Sequence, residues 1–243
     1  GISGTGRYSR DLFESLQAAG LRASLTHPAP FPPDGWLAQG LRQAGVDLQA
    51  FLSSHPLHVR CLRVGLYHIT SQSLASLLRF QRFNRPVVVS ILDVIPHQTA
   101  GQPDLDQARG VVQRWFRQDS ARMLSRADGL VAISATTRQA AHECLGIPLE
   151  RITVIHPSID LQVFRPLEVP ADFKTRYGLS TRRDYILYVG SDDPRKNLAT
   201  LIEAMRFIRP RHRSACLLVA GKAYDPRQQA RLRGLVRSWD LQE

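Results

Sequence analysis

Short apolar runs recur along the chain and alternate with segments whose apolar positions repeat every three or four residues. The runs are "LRASLTH" (21–27), "VGLYHIT" (64–70), "PVVVSILDV" (86–94), "GLVAIS" (129–134), "ITVIHP" (152–157), "YILYVG" (185–190) and "SACLLVAG" (214–221). Continuous apolar runs separated by helical segments are typical of parallel strands that are buried on both faces. The pattern therefore predicts an α/β fold with parallel sheets.

The segments between these runs predict helices. In "GRYSRDLFESLQAAG" (6–20), apolar residues share one helical face, Gly20 is a natural stop, and the glycine-rich loop "GISGTG" (1–6) precedes the helix. We expect further helices at 104–126, at 136–145 with Ser134 as the N-cap, after Pro194, and at 227–239. The apolar stripe predicted for 104–126 consists of Leu105, Ala108, Val112, Trp115 and Met123.

Residues 164–184, "FRPLEVPADFKTRYGLSTRRD", interrupt the alternation of strands and helices with prolines, polar residues and charges. Such a change in composition is typical of a boundary between domains. We therefore predict two α/β domains, at residues 1–168 and 169–243.

The charge of the chain adds to this picture, because its formal net value is +11 and its isoelectric point is about 10.4. Such a balance favours nucleic acid, phosphorylated substrates or an anionic membrane as partners, although scattered arginines also fit a plain solvated surface. Nucleic acid is disfavoured, since the sequence has no helix of clustered arginines and only 7% aromatic residues. We expect no nucleic-acid partner.

The cysteines Cys61, Cys144 and Cys216 are odd in number, far apart and without CxxC spacing. Neither a disulfide framework nor a zinc site is indicated, and a reducing cytoplasm fits. The most apolar stretch, 86–96, contains Asp93 and is far shorter than the roughly 20 residues of a membrane span. We expect a cytoplasmic protein without a bound metal.

Polar residues follow most of the predicted strands, and the carboxyl ends of parallel strands form one edge where ligands bind. Polar residues at strand ends also arise simply because the chain leaves the core there, and Ser134 is equally explained as a helix cap. The set as a whole predicts one cleft, lined by His27, His68, Asp93, Ser134, His156 and Gly190.

The segment "GSDDPRKNL" (190–198) places Arg195 and Lys196 where a helix is predicted to begin. A helix N-terminus is itself positive, so two cations at this point favour a bound phosphate. The alternative is that Asp192 and Asp193 neutralise the pair, which leaves an ordinary solvated loop.

Five motifs in order resemble one known family: "GTGRYSRDL", "YHITS", "VVVSILDVIPH", "ADGLVAISATTRQAAHECLGIPLERITVIHPSID…VFRP" and "YILYVGSDDPRKNLATLIEA". They resemble the retaining nucleotide-sugar glycosyltransferases of the GT-B fold, family 4 type, mannosyltransferase-like branch. The resemblance implies two Rossmann-like domains, with the acceptor bound by the first and the donor by the second. It also implies GDP-mannose or a UDP-sugar as donor substrate, a saccharide or lipid-linked acceptor, and no further cofactor.

The resemblance also implies roles for single residues. Gly4 matches a glycine near the donor phosphates, and Lys196 matches the lysine that contacts the donor diphosphate beside Gly190. Ser191 stands where many relatives carry an arginine, so the second phosphate contact is expected from Arg195. His68 and Asp93 are the catalytic candidates.

Three departures from the family pattern qualify these expectations. Leu92 replaces a histidine that faces the transferred sugar in relatives, which keeps open a non-catalytic paralogue that binds nucleotide or sugar. The first strand of the first domain and the paired glutamates of the second have no counterpart. We therefore expect an internal piece of a protein of roughly 350 residues, with a truncated second domain and no activity by itself.

Lipid-linked acceptors lead to one more hypothesis, a peripheral contact of the first domain with an anionic membrane. The candidate cations lie along the predicted helix at 104–126 and are Arg114, Arg117, Arg122 and Arg126. Each can contribute about 1 kcal/mol near such a surface.

Overall fold

The computed structural model describes residues 4–27, 56–60, 62–102, 105–106, 111–223 and 225–242. The chain divides into two compact units. Unit 1 comprises residues 1–102 and 106–164, and unit 2 comprises residues 103–105 and 165–243. The division after Phe164 falls at the start of the polar segment 164–184.

Within its described residues, unit 1 alternates helices with four short strands. Its helices are α1 (Gly4–Ala18), α2 (Leu77–Phe80), α3 (Ile95–Gln98), α4 (Val111–Met123) and α5 (Ala135–Leu145). Its strands are β1 (Tyr67–Ile69), β2 (Val87–Ile91), β3 (Gly129–Ala132) and β4 (Ile152–Val154). Short 3₁₀ segments lie at Gln72–Ser76, Leu124–Arg126 and Leu149–Arg151.

The four strands form one parallel sheet in the order β1-β2-β3-β4. Strand β2 lies in the interior, with Val89, Ser90 and Ile91 fully buried, so both of its faces are covered near its carboxyl end. Asp128 aligns β2 with the next strand, because its carboxylate accepts from the Val87 amide at 2.7 Å. All four carboxyl ends therefore lie at one edge of the sheet.

Unit 2 contains the helices α6 (Phe173–Arg176), α7 (Leu198–Ile208) and α8 (Pro226–Ser238) and the strands β5 (Asp184–Val189) and β6 (Ala215–Ala220). The two strands pair in parallel over their whole length. Leu198 and Ile202 of α7 and Leu232 of α8 form a small buried cluster against Tyr188 and Leu217 of the strands. A 3₁₀ turn at Pro194–Lys196 lies between β5 and α7.

The strand predictions are confirmed for the six apolar runs from residue 64 onward, all in parallel sheets. The prediction for 21–27 is wrong, because these residues have no regular secondary structure. Leu21 and Leu25 are exposed, so the apolar side chains that suggested a buried strand do not enter the core.

The helix predicted at 104–126 differs from the structure at its start and in its buried face. Asp106 is not helical, and α4 begins at Val111 within the described residues. Val112 and Trp115 of the predicted stripe are exposed. Met123 of the stripe is buried as predicted, but it shares the buried face with Asp119 and Ser120, and the Ser120 hydroxyl donates to the Ser73 carbonyl at 3.1 Å. Tertiary packing against the segment 72–76 thus selects a more polar face than the pattern predicts.

Among the helices that the structure describes, none is both long and apolar enough to cross a bilayer.

Candidate functional site

The carboxyl edge of the unit 1 sheet collects several of the predicted residues. His68 lies in the middle of β1, and its side chain reaches forward to Ser90 of the neighbouring strand. Asp93 lies two residues beyond β2, and Ser134 lies two residues beyond β3. The sheet order therefore brings these predicted residues to the ends of three adjacent strands.

A chain of hydrogen bonds fixes His68 at this edge. The His68 Nε2 atom and the Ser90 Oγ atom are 2.8 Å apart, and the Tyr8 hydroxyl lies 2.8 Å from the same Ser90 Oγ. One residue further along α1, the Ser9 Oγ lies 2.6 Å from the Thr70 Oγ1. Helix α1 is therefore bonded through side chains to the ends of both β1 and β2.

Burial lowers the pKa of His68 below its ordinary value, because a charged ring would lose solvation there. The imidazole is therefore neutral at physiological pH. A neutral ring with one nitrogen bonded to Ser90 has its other nitrogen available as a donor or an acceptor, depending on the tautomer.

Asp93 lies beside a second histidine that the sequence interpretation did not single out. The Asp93 carboxylate accepts from the Ile95 amide at 3.2 Å, at the start of α3. In α3, burial and then the charge of Arg117 lower the pKa of His97, while Asp93 acts in the opposite direction. Arg117 is itself paired with Asp106 at 2.7 Å. This edge of unit 1 therefore carries two neutral imidazoles and a carboxylate.

Leu92 and Ser134 have local structural roles. The Leu92 amide donates to the Gln72 Oε1 at 3.0 Å. The Ser134 hydroxyl accepts from the Thr137 amide at 3.0 Å, which confirms Ser134 as the N-cap of α5. Its place in a ligand cleft stays a prediction.

The other two histidines of the predicted edge are less well placed. His27 lies outside any strand and is exposed. The His156 Nδ1 lies 3.1 Å from the Ile133 carbonyl, and this side chain is also exposed.

Gly4 begins α1, whereas the sequence interpretation placed the glycine in a preceding loop. Gly4 and Gly6 both lie in the helix. A Cβ atom at Gly4 would meet no other described atom within 4 Å, so packing does not require a glycine there. Residues 1–3 of "GISGTG" lie outside the described residues.

In unit 2, the loop after β5 is held close to the end of β6. The Gly190 amide donates to the Ala220 carbonyl at 2.9 Å. A Cβ atom at Gly221 would lie 1.9 Å from the Gly190 carbonyl oxygen, so only glycine fits at Gly221. The Tyr188 hydroxyl donates to the Ser191 carbonyl at 2.9 Å and so orders the start of the loop.

Arg195 is bound to Asp193. The guanidinium Nη2 lies 2.6 Å from Asp193 Oδ2, Nε donates to both carboxylate oxygens, and the Arg195 amide donates to Oδ1 at 3.0 Å. This hydrogen bonding from Arg195 lowers the pKa of Asp193, although burial of the carboxylate opposes the shift. The internal neutralisation that the sequence left open therefore occurs for Arg195.

Lys196 is exposed, and its side chain passes over Gly190, since its Cδ atom would lie 3.4 Å from a Cβ placed at that glycine. Both cations belong to the 3₁₀ turn, and Asn197 adopts a left-handed conformation with φ of 52° before α7 begins at Leu198. The sequence predicts both cations at the start of the helix. In the structure they precede the helix and lie outside its first turn. Lys196 and Gly190 are nevertheless brought together at the carboxyl end of β5.

Sequence reasoning missed Tyr8, Ser90 and His97 as members of the unit 1 edge. Tyr8 was interpreted as part of an apolar helical face, and Ser90 lay unnoticed inside an apolar run. A hydroxyl inside an otherwise continuous buried strand was the available signal, because buried hydroxyl groups require a hydrogen-bond partner. No cluster of three or more metal-ligating side chains occurs within the described residues.

The model of Glycosyltransferase Family 4 matches residues 2–163, which is more than half of the chain. The protein therefore belongs to this glycosyltransferase family. A curated relative, the D-inositol 3-phosphate glycosyltransferase of Thermobispora bispora, is 33% identical over 95 residues. That stretch is 38% of this chain and 22% of the relative.

Solved structures of Anabaena Alr3699/HepE have a similar fold. The complex with UDP and glucose has a TM-score of 0.61 at 16% identity and covers 100% of this chain. The complex with UDP-glucose has a TM-score of 0.54 at 14% identity and covers 95% of this chain. The chain spans 65% and 56% of those two structures. The likeness confirms the predicted α/β fold of the GT-B class.

Proposed function

We propose that the protein transfers a hexose from a nucleoside diphosphate sugar to a hydroxyl group of a saccharide or lipid-linked acceptor, with retention of anomeric configuration. Membership of a glycosyltransferase family supports transfer of a sugar. The single observation that carries the donor site is the position of the Lys196 side chain, whose Cδ atom passes over Gly190 at the carboxyl end of β5. That edge of a parallel sheet is where α/β folds bind nucleotides.

In this proposal Lys196 binds the diphosphate of the donor. The leaving diphosphate gains negative charge as the sugar departs, so a fixed cation stabilises the transition state more than the ground state. The Tyr188 hydroxyl and the Lys196 Cδ atom already lie over Gly190, so the proposed contacts of the phosphate beside Lys196 are the backbone at Gly190 and the hydroxyl group of Ser191. The role of Gly4 at the donor phosphates, which the motif resemblance implies, stays a prediction.

Arg195 can serve as the second phosphate contact only through the part of its guanidinium that does not face Asp193. The pair has three hydrogen bonds between the two side chains, and Asp193 is buried. We therefore assign the main phosphate contact to Lys196, and Arg195 to ordering of the turn.

On the acceptor side, His68 and Asp93 are the proposed polar groups at the reacting centre. Both lie at the carboxyl edge of the unit 1 sheet, and His68 is neutral because burial lowers its pKa. A neutral imidazole can bind a sugar hydroxyl without the cost of burying a charge. No metal ion or further cofactor is included in the proposal.

Two donors remain candidates. The similar Anabaena structures were solved with UDP and UDP-glucose, which favours a uridine donor. The motif resemblance to the mannosyltransferase-like branch favours GDP-mannose. Both nucleotides are therefore included in the binding experiment.

The substitution Lys196→Ala tests the donor site by titration calorimetry of UDP and GDP. We expect the preferred nucleotide to bind about 1.5 to 3 kcal/mol more weakly, the usual worth of a hydrogen bond to a charged group. Lys174→Ala is the matched control, because it removes the same charge from α6. Unchanged affinity for both nucleotides in Lys196→Ala, or an equal loss in Lys174→Ala, would contradict the assignment.

Release of nucleoside diphosphate separates an enzyme from a non-catalytic binding paralogue. Leu92, in the place of a histidine of relatives, is the residue that motivates this second candidate. Because the chain by itself is expected to be inactive, the assay uses the longer protein that the motif resemblance implies. Turnover by that protein with UDP-glucose or GDP-mannose, in the presence of saccharide or lipid acceptors, supports transfer. Nucleotide binding without turnover would instead favour the binding paralogue.

A peripheral contact of unit 1 with an anionic membrane, at the cytoplasmic face, is also part of the proposal. Of the four arginines predicted for this contact, Arg117 is paired with Asp106, and Arg126 donates to the Leu78 carbonyl at 3.2 Å. Arg114 and Arg122 are exposed. The same region exposes Phe80, Val111, Val112 and Trp115. Exposed apolar and aromatic side chains flanked by arginines fit the interfacial region of a lipid bilayer.

A further inference from the structure

Ser90 connects Tyr8 to His68 and is completely buried. A serine hydroxyl has one hydrogen and accepts through its lone pairs, so it can donate to only one of these two neighbours. Its single hydrogen therefore couples the two side chains. If Ser90 donates to the His68 Nε2, the ring proton lies on Nδ1. If the His68 Nε2 donates to Ser90, the ring proton lies on Nε2.

The chemistry of the three groups favours one order. A phenol is more acidic than an alkyl hydroxyl and so is the better donor, whereas a neutral imidazole nitrogen is a good acceptor. Tyr8 then donates to Ser90, and Ser90 donates to the His68 Nε2. In this order the proton of His68 lies on Nδ1. Among the described residues, Nδ1 has no hydrogen-bond partner, so this N–H group is available to a ligand.

We propose that Tyr8 is a positioning residue for His68: through Ser90, its hydroxyl holds the imidazole in one orientation and in the Nδ1–H tautomer. His68 then acts as a hydrogen-bond donor to an oxygen of the bound substrate, and not as a base. The donor role rests on the proposed glycosyl transfer, whereas the tautomer is a property of the protein alone.

Helix α1 makes a second, separate hydrogen bond to the sheet, and removing that bond provides a control variant. Ser9 follows Tyr8 in the same helical turn and hydrogen-bonds Thr70 at the end of β1. Ser9→Ala therefore loosens the same helix without removing a group from the Tyr8–Ser90–His68 chain. Tyr8→Phe keeps the aromatic ring and removes only the hydroxyl group.

Long-range ¹⁵N NMR of the histidine rings, near pH 8 where the rings are neutral, measures the tautomer directly. His68→Gln assigns the His68 signals among the eight histidines. We expect the Nδ1–H pattern in the wild-type protein and in Ser9→Ala. In Tyr8→Phe and Ser90→Ala we expect averaged shifts from a mixture of tautomers, with the fold of each variant checked by its amide spectrum.

Three results would overturn the proposal: an Nε2–H pattern in the wild type, an unchanged pattern in Tyr8→Phe, or an equal change in Ser9→Ala. Ser90→Ala removes the middle residue of the same series of hydrogen bonds. It therefore supplies the test if Tyr8→Phe does not fold.

Turnover, measured with the longer protein that the motif resemblance implies, provides the functional half of the test. We expect Tyr8→Phe to lower kcat about tenfold with little change in KM, as for a misplaced catalytic group. Ser9→Ala should keep the wild-type kcat, and Tyr8→Phe should cost nothing further in a Ser90→Ala background. A protein without turnover but with the expected NMR pattern would refute glycosyl transfer and leave the positioning role intact. Normal turnover in Tyr8→Phe would refute the positioning role alone.

Discussion

At the scale of single residues, Asp193 combines two tasks that the sequence presents as unrelated. Its carboxylate caps the 3₁₀ turn at the Arg195 amide and also binds the Arg195 guanidinium. The guanidinium is partly exposed, with 28% of the side-chain surface accessible, so solvent screens part of the attraction. The pair orders the turn that carries Lys196.

Asp193→Asn tests this ion pair through its pH dependence. The folded-state pKa of Asp193 is lowered, so its contribution to stability is present above the unfolded carboxyl pKa of about 4 and is lost as the pH falls through the folded value. We expect the variant to unfold about 1 kcal/mol more easily than the wild type in urea at neutral pH. The difference should shrink towards zero in acid.

Asp172→Asn is the control for this experiment. Asp172 and Arg176 form an ion pair of the same length, 2.6 Å, but both side chains are largely exposed. We expect this variant to change stability little at any pH, because exposed pairs contribute little. A pH-independent loss in Asp193→Asn would show that the cap alone, and not the charge, stabilises the turn.

At the scale of elements, the position of the loop after β5 in unit 2 depends on how closely the ends of β5 and β6 approach each other. Gly190 and Gly221 bring the two backbones together just past the paired strands. The contact positions the loop that bears Lys196 relative to the sheet. Glycine at this point is a packing requirement that no local pattern in the sequence indicates.

Gly221→Ala tests this contact. The added methyl group would collide with the Gly190 carbonyl, so we expect a loss of stability of about 1 to 3 kcal/mol, as for other overpacked sites. Gly234→Ala in α8 is the matched control, since a Cβ there meets nothing within 4 Å. It should stabilise the protein by about 0.5 to 1 kcal/mol, because alanine favours helix. Equal effects of the two substitutions on urea unfolding would be inconsistent with the contact.

At the scale of the whole molecule, the net charge of +11 is carried almost entirely by arginine. Within the described parts of 77–126, the exposed charged side chains are all arginines, because Asp119 is buried beside Arg79, Asp106 is paired with Arg117, and Asp93 is partly buried. Arg79 also lies over the ring of Trp115, with 5.5 Å from its Cζ to the ring centroid. One region of unit 1 is thus basic, partly aromatic and free of exposed acids among its described residues.

Co-sedimentation with lipid vesicles tests whether this region binds a membrane. We expect binding to vesicles that contain anionic lipid and little binding to neutral vesicles. Arg114→Gln combined with Arg122→Gln should weaken partitioning by about 2 kcal/mol, or roughly 1 kcal/mol per arginine. The control pair, Arg211→Gln with Arg213→Gln, removes the same charge from exposed sites in unit 2. Similar binding to neutral and anionic vesicles, or the same loss in the control pair, would argue against a specific membrane surface.

The sequence by itself determined the features that depend on local order along the chain. The alternation of apolar runs with helical segments predicted seven parallel strands, of which six are confirmed, and capping chemistry predicted Ser134 at the start of α5. The motif order predicted the family, because the same short segments recur at similar spacing. The strands and the cap depend on neighbours within a few residues, and the family depends on the order of motifs along the chain. A sequence displays both directly.

Only the tertiary structure decided the contacts between segments distant in the chain. Tyr8 and Ser90 are separated by 82 positions, and nothing near either residue indicates that they share a hydrogen bond. The face that α4 buries was likewise selected by packing among alternatives that the local pattern allows equally. The pairing of Arg195 with Asp193, two residues away, is a choice between alternatives that the sequence left open. The physical reason is that local pattern limits which conformations a segment can adopt, whereas burial and hydrogen-bond satisfaction, summed over the whole fold, choose between them.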